Sequence, residues 1–246
     1  MVLIITLSIL TIVSGSPPVQ ARLLEVDGAV RGEFDGLRTA SLSLTTTRPN
    51  NLIIVGVLVF NASVSVVSVN DTAGLRYVRR IHFNESASPQ NPCKQANIEE
   101  WYADASQVLR NDTITITTTF ADGVSRAIAF GIAGSSVSFF DHSPSFPATA
   151  TRPWNPTNQN CGHVVAASFS PESKNDFIFA FIQINDGGDQ PGPDFTDLSS
   201  IGTDGFFGMM FAISLRNMQI NSATSGGDSM GMVVDAVQLA GPSENP

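Results

Sequence analysis

From residue 113 to 120 the chain reads TITITTTF, with Ile114, Ile116, Thr118 and Phe120 on one side and threonines on the other. A period of two is that of a β-strand with one buried face. Nearly every residue is β-branched, which costs χ1 freedom in a helix and suits a pleated sheet, so pattern and propensity agree. Asn111 and Asp112 supply the turn that opens this strand, and residues 98–103 form an earlier one; the two are expected to pair as a hairpin. Along the earlier strand, alternation sends Trp101 and Tyr102 to opposite faces. It separates Glu99 from Glu100 in the same way, so these two cannot act as a close carboxylate pair.

Two runs do not alternate. LIIVGVLVF at 52–60 is continuously apolar and FIFAFIQI at 177–184 is so but for Gln183; both are short, the pattern of central strands covered on both faces. Residues 64–69 and 75–81 flank the turn signal NDTAG at 70–74 and predict a second hairpin. Further strands are expected at 22–27, 40–46, 125–133, 162–168, 205–215 and 230–239. Residues 139–159, with Pro144, Pro147, Pro153 and Pro156, are expected to be the longest loop and to hold little regular structure. About a dozen strands and no amphipathic helix predict an all-β protein, a two-sheet antiparallel β-sandwich of jelly-roll or immunoglobulin-like type.

The N-terminus changes the picture next. Residues 2–13 are apolar but too few to span a bilayer, and Val19 and Ala21 fit a small-residue cleavage site. Residues 1–21 therefore read as a secretory signal peptide, without the usual basic start, and 22–246 as a single β-sandwich domain; a buried strand is the other reading of the apolar run. The tail AGPSENP carries no apolar anchor, so the mature protein is expected to be secreted or held at the cell surface by protein contacts, with no membrane span.

Composition sharpens the compartment and excludes one partner class. Only 14% of residues are charged, a balance typical of β-rich exported proteins. A net charge of −9, with 13 scattered basic residues, excludes a nucleic-acid partner, which needs clustered Lys and Arg. The chain has two cysteines, Cys93 and Cys161. In an exported protein they are expected to form one disulfide, worth about 4 kcal/mol at most by loop-closure entropy; two buried thiols are the alternative. Sequons stand at Asn61, Asn70, Asn84 and Asn111, and those occupied by glycans must face solvent, with Asn70 and Asn111 in turns.

Three constellations carry possible chemistry. Gly227-Asp228-Ser229-Met230-Gly231 matches G-x-S-x-G, but no His follows Ser229 and a strand is expected after it, so a serine hydrolase is the least supported reading. The loop at 185–194 gathers Asp186, Asp189 and Asp194 around glycines, which suits structural calcium in ligand type, but the spacing matches no dedicated calcium motif and a solvated turn is the favoured reading; no other cofactor is expected. Trp154, Asp141 and His142 in the Pro-rich connection, together with Trp101, have the composition of a sugar-stacking site. Aromatic residues beside prolines, Phe139, Phe140 and Phe146 among them, also staple long loops to a core.

The segments SLTTTRPNNLIIVGVLV, VSVNDTAGLRYVRR, IEEWYADASQVLRNDTITIT, AFGIAGSSVSFFD and the closing DAVQLA resemble, in the same order, a group of uncharacterised secreted β-sandwich surface proteins seen mainly in archaea. The resemblance covers residues 41–141 and implies a fold and an exterior location. It implies no catalytic site, and the cysteines and Pro-rich connection are additions to the pattern. The function expected is that of a non-enzymatic extracellular surface, adhesion or filament-forming protein, self-associating through sheet edges, including an N-terminal strand at 22–35 added to a neighbour's sheet. A carbohydrate-binding, lectin-like module that recognises surface glycans is the alternative.

Overall fold

The computed structural model describes residues 24–59, 63–89, 91–93, 96–120, 124–162, 164–173, 175–184, 196–201, 207–213, 222–224 and 229–240. The apolar N-terminal run, Asn61, and Asp186, Asp189 and Asp194 lie outside them. The described strands are β1 (Glu25–Leu37), β2 (Thr39–Leu44), β3 (Asn51–Val59), β4 (Val66–Asp71), β5 (Val78–Glu85), β6 (Ala96–Ala105), β7 (Asp112–Thr118), β8 (Val124–Ala133) and β9 (Ser135–Phe140). They continue with β10 (Ala148–Thr151), β11 (Trp154–Asn155), β12 (Asn160–Cys161), β13 (Ala166–Ser168), β14 (Phe177–Ile184), β15 (Thr196–Ile201), β16 (Phe207–Ile213), β17 (Ser222–Thr224) and β18 (Ser229–Leu239). Among the described residues no helix is long and apolar enough to cross a membrane.

The strands form a stack of antiparallel layers. A five-stranded sheet in the order β1-β8-β3-β6-β5 packs against a six-stranded sheet in the order β10-β18-β14-β16-β15, with β9 also on β18. This is the expected sandwich. Each of its outer faces is covered in turn, that of the five-stranded sheet by a three-stranded sheet, β2-β7-β4, and that of the six-stranded sheet by residues around the β13–β17 ribbon.

The two continuous apolar runs explain the stacking. In β3, Leu52, Ile54 and Leu58 face the six-stranded sheet while Ile53, Val55, Val57 and Val59 face the three-stranded one. In β14, Phe177, Phe179 and Phe181 face the five-stranded sheet while Ile178, Ala180 and Ile182 pack outward with Val165, Ala167 and Phe169. A strand apolar on both faces loses water from both only when a layer covers each side. The outermost strands alternate instead: β2 and β7 show one buried residue in two, since a single face is covered.

Both expected hairpins are absent. The strand at 96–105 pairs with β3 and β5, whereas the strand at 112–118 lies in the three-stranded sheet between β2 and β4. Likewise β4 pairs with β7 and β5 with β6, so the chain crosses from one layer to the next between them. Alternation specifies which face is buried, and a neighbouring layer can bury it as well as a neighbouring strand. Three smaller differences follow from local chemistry. Strand β7 stops at Thr118, whose hydroxyl bonds the Phe120 carbonyl, and Phe120 is 62% exposed instead of completing the buried stripe. The Pro-rich connection holds β10, which lies between Pro147 and Pro153 as an edge strand on β18, the place a sheet tolerates proline. The N-terminal strand runs antiparallel to β8 of its own chain.

Strand β1 is pinned at its start by Asp27. Its carboxylate accepts hydrogen bonds from the Thr47 amide and hydroxyl, the Arg48 amide and the Asn51 side chain. Burial opposes its charge, but these donors outweigh that and hold its carboxyl below the usual range.

Candidate functional site

Cys93 and Cys161 are joined in a disulfide across a sequence separation of 68 residues. Cys93 lies in the β5–β6 connection and Cys161 on β12, so the bond ties the β11–β12 hairpin to one end of the five-stranded sheet. Trp154 stands opposite Cys161 in that hairpin and is half-buried. Asn70, Asn84 and Asn111 are all exposed. Asn111 occupies a turn with φ of 50°, whereas Asn70, expected in a turn, is the penultimate residue of β4.

Asp141 is buried and engaged by the backbone: its oxygens accept the Ser143 amide at 2.5 Å and the Glu172 amide at 2.8 Å. It lies beside Asp176, whose carboxyl burial and the Asp141 contact push up to about 8. The hydroxyls of Ser143 and Ser145 donate to the Ser170 carbonyl and lash the Pro-rich connection to the following segment. His142 is exposed. Phe139 and Phe140 pack into the core between the two large sheets, and Phe146 packs with Phe169 beneath the outer ribbon. Among the described residues, no hydrogen bond or ring contact joins Trp154, Asp141, His142 and Trp101 to one another. Ser229 opens β18, a strand and not the strand-to-helix elbow of a hydrolase.

The densest polar chemistry lies instead on the β5–β6 ribbon, one cluster on each face. Strand pairing slips by one residue between Arg79 and Ile81, and this bulge leaves Arg80 unpaired and aimed at the six-stranded sheet. Arg80 Nε donates to Asp235 Oδ2 at 2.7 Å and its guanidinium stacks 4.3 Å over the Phe140 ring. Asp235 and Glu100 are fully buried. Burial pushes the Glu100 carboxyl far above its ordinary range; the Asp235 charge adds to this and Arg80 works against it.

On the opposite face, Glu99 is also fully buried. It accepts the Val66 amide at 2.6 Å and the Trp101 indole N–H at 3.2 Å, with Arg79 3.6 Å and His82 3.8 Å away. Arg79 also lies 5.8 Å from the centre of the Trp101 ring. Asn97 continues the network: its side chain lies 3.2 Å from His82 and donates to the Val64 carbonyl, and its backbone N–H donates to the Gln183 side-chain oxygen. The Trp101 indole N–H and both Glu99 oxygens are thus engaged inside the protein. Solvent meets this cluster through Arg79, 45% exposed, and His82, 27% exposed.

Sequence reasoning placed Glu99 and Glu100 on opposite faces, as found, but gave neither a partner. Arg80, Asp235 and Asn97 were missed. Asp235 did carry a signal, a single acid inside the apolar stretch MGMVVDAVQLA. Comparison with protein-family models, with curated proteins and with solved structures returned no significant match.

Proposed function

We propose that this chain is a non-catalytic structural protein of the cell exterior that works by associating with further copies of itself. The observation that carries this reading is where the polar chemistry goes. Asp27, Glu99, Asp141 and the Arg80–Asp235 pair each tie one segment or layer of the stack to another. A disulfide fits an oxidising compartment, and three exposed sequons are compatible with one. The resemblance to secreted surface proteins points the same way.

The contact is assigned to the β9 edge. Strand β9 pairs with β18 on one side, and no other described strand pairs with it; Val137, in its middle, is 73% exposed. An edge strand bearing an exposed apolar residue is a template for another chain. Light scattering and negative-stain microscopy of the purified protein are expected to show oligomers or filaments that Val137→Lys disperses without lowering the unfolding midpoint. Wild-type protein that is monomeric at all concentrations overturns the reading.

Glycan binding is the second reading, supported by Trp154 held half-exposed on a hairpin that the disulfide fixes. Quenching of its fluorescence by polysaccharide, lost in Trp154→Ala, is the result that would favour it.

A further inference from the structure

We propose that Asp71, Asp112 and the Tyr77 hydroxyl form a binding site for a hard divalent cation, calcium by its ligand chemistry, at one end of the three-stranded sheet. Alternation puts Asp71 on the same face of β4 as Val69, and Asp112 on the same face of β7 as Ile114 and Ile116. Both carboxylates therefore point inward, at the end of an otherwise apolar layer, where residues 72–77 fold over them on the way to β5. Leu75 and Tyr77 from that segment pack on the same core.

Each carboxylate spends one oxygen on holding the segment. Asp71 Oδ1 accepts the Leu75 amide at 2.8 Å; Asp112 Oδ1 accepts the Thr72 hydroxyl at 2.6 Å and the Ala73 amide at 2.8 Å. The second oxygens are left over. Asp71 Oδ2, Asp112 Oδ2 and the Tyr77 hydroxyl are all buried and find no hydrogen-bond partner at bonding distance outside their own group, within which the Tyr77 hydroxyl approaches the Asp71 carboxyl and the Asp71 carboxyl approaches Asp112. Asp112 is 4% exposed, so bulk water does not satisfy its oxygen. The three groups act on one another: burial chiefly, and then the Asp112 charge, raise the Asp71 carboxyl, and burial with both carboxylates raises the Tyr77 phenol.

Three buried oxygens facing one another, two of them on acids, are costly when empty and suited to a cation. The set is all oxygen, which selects calcium or magnesium over zinc or copper. Calcium accepts irregular shells completed by carbonyls and water, whereas magnesium demands near-ideal octahedral geometry. Bound there, the cation would join β4, β7 and the crossing segment between two layers. With two carboxylates the affinity belongs in the range of extracellular modules, on the order of 10⁻⁴–10⁻³ M.

The test is a calorimetric titration of the full chain with calcium chloride, with unfolding midpoints measured with and without about 5 mM calcium, roughly five times the upper end of the expected range. Wild type is expected to bind in that range and to gain several degrees, with magnesium giving less. Asp112→Asn, which retains the oxygen that holds Thr72 and Ala73, is expected to bind at least tenfold more weakly, and Tyr77→Phe to weaken binding without loss of fold. No calcium heat and no midpoint shift in wild type overturns the proposal. So does binding that both variants leave unchanged, which would locate calcium elsewhere. A calcium-independent rise in stability in Asp112→Asn, with wild type indifferent to calcium, would mean that the carboxyls share a proton instead.

Discussion

The five-stranded sheet has two buried faces built from different materials. Toward the three-stranded sheet it presents Ile53, Val55, Val57, Val59, Ala127 and Ala129, which meet Ala40, Leu42, Val69, Ile114 and Ile116. Toward the six-stranded sheet, Leu52, Ile54, Ile98 and Phe130 meet Phe177, Phe179 and Phe181, and an ion cluster is set among them. The aliphatic layer can be filled in many ways, because branched residues of similar size interchange at little cost. The aromatic layer cannot. Its rings interlock edge to face, Phe130 with Phe179 at 5.6 Å and Phe179 with Phe181 at 5.5 Å, and Gly56 lies where Phe181 needs room. The buried Arg80–Asp235 pair adds direction, since a sheet shifted along its strands would strand one of the charges. The aliphatic face holds a buried charge too, Glu99, but its carboxylate is engaged by Val66 and Trp101, whereas the interlocking rings and the Arg80–Asp235 pair join the two large sheets to each other.

Removing one ion partner is the largest way to break that contrast. Asp235→Ala would leave Arg80 facing a fully buried Glu100 without its ionised partner, and is expected to cost about 3 kcal/mol, the lower end for a broken buried pair because Arg80 is 24% exposed. Denaturant unfolding with an unchanged slope checks it; a loss under about 1 kcal/mol would show the pair to be dispensable. Gly56→Ala comes next. A Cβ there would overlap the Phe181 ring, which neighbouring rings hold in place, and the expected cost is about 2 kcal/mol, as for overpacking of a tight core. A neutral result would mean that the two large sheets slide apart easily, making the aromatic layer no stiffer than the aliphatic one.

The same contrast explains how much was legible beforehand. Apolar runs covered on both faces were readable at 52–60 and 177–184, because nine consecutive apolar residues in the first and six in the second admit no exposed face. Partners were not readable. The Ile-Thr alternation at 113–118 says that one side is buried, and it was assigned to a hairpin with 98–103 when the burying surface was another layer. Polar clusters were harder still: Arg80 and Asp235 are 155 residues apart and meet through a bulge in β5 that periodicity cannot forecast. Cys93 and Cys161 were recoverable by count alone, since two cysteines allow one pairing. Asp71 and Asp112 looked like ordinary turn residues, and only the fold shows their second oxygens turned inward.

The smallest effect isolates the proton in the aromatic layer. Glu100 ionises in the unfolded chain near its ordinary value of 4.5, but in the folded protein burial holds its proton to a much higher pH. Between those two values the native state binds more protons than the unfolded one, so stability falls as pH rises. Asp176, Asp71 and Asp235, all raised chiefly by burial, act in the same direction, and Asp27, held below its usual range, acts in the opposite one at low pH, so the full profile mixes several groups. The difference between wild type and Glu100→Gln cancels the distant groups and leaves Glu100 together with Asp235, the neighbour whose titration it shapes. Glutamine copies the neutral acid in shape, so the two proteins should be nearly equal in stability close to pH 4.5. The variant should then gain on wild type steadily as pH rises through 7, measured as the gap between urea midpoints. A constant gap across that range would mean that Glu100 is already ionised beside Arg80, in which case the layer carries two negative charges against one guanidinium and Asp235→Asn, not Asp235→Ala, becomes the more revealing substitution.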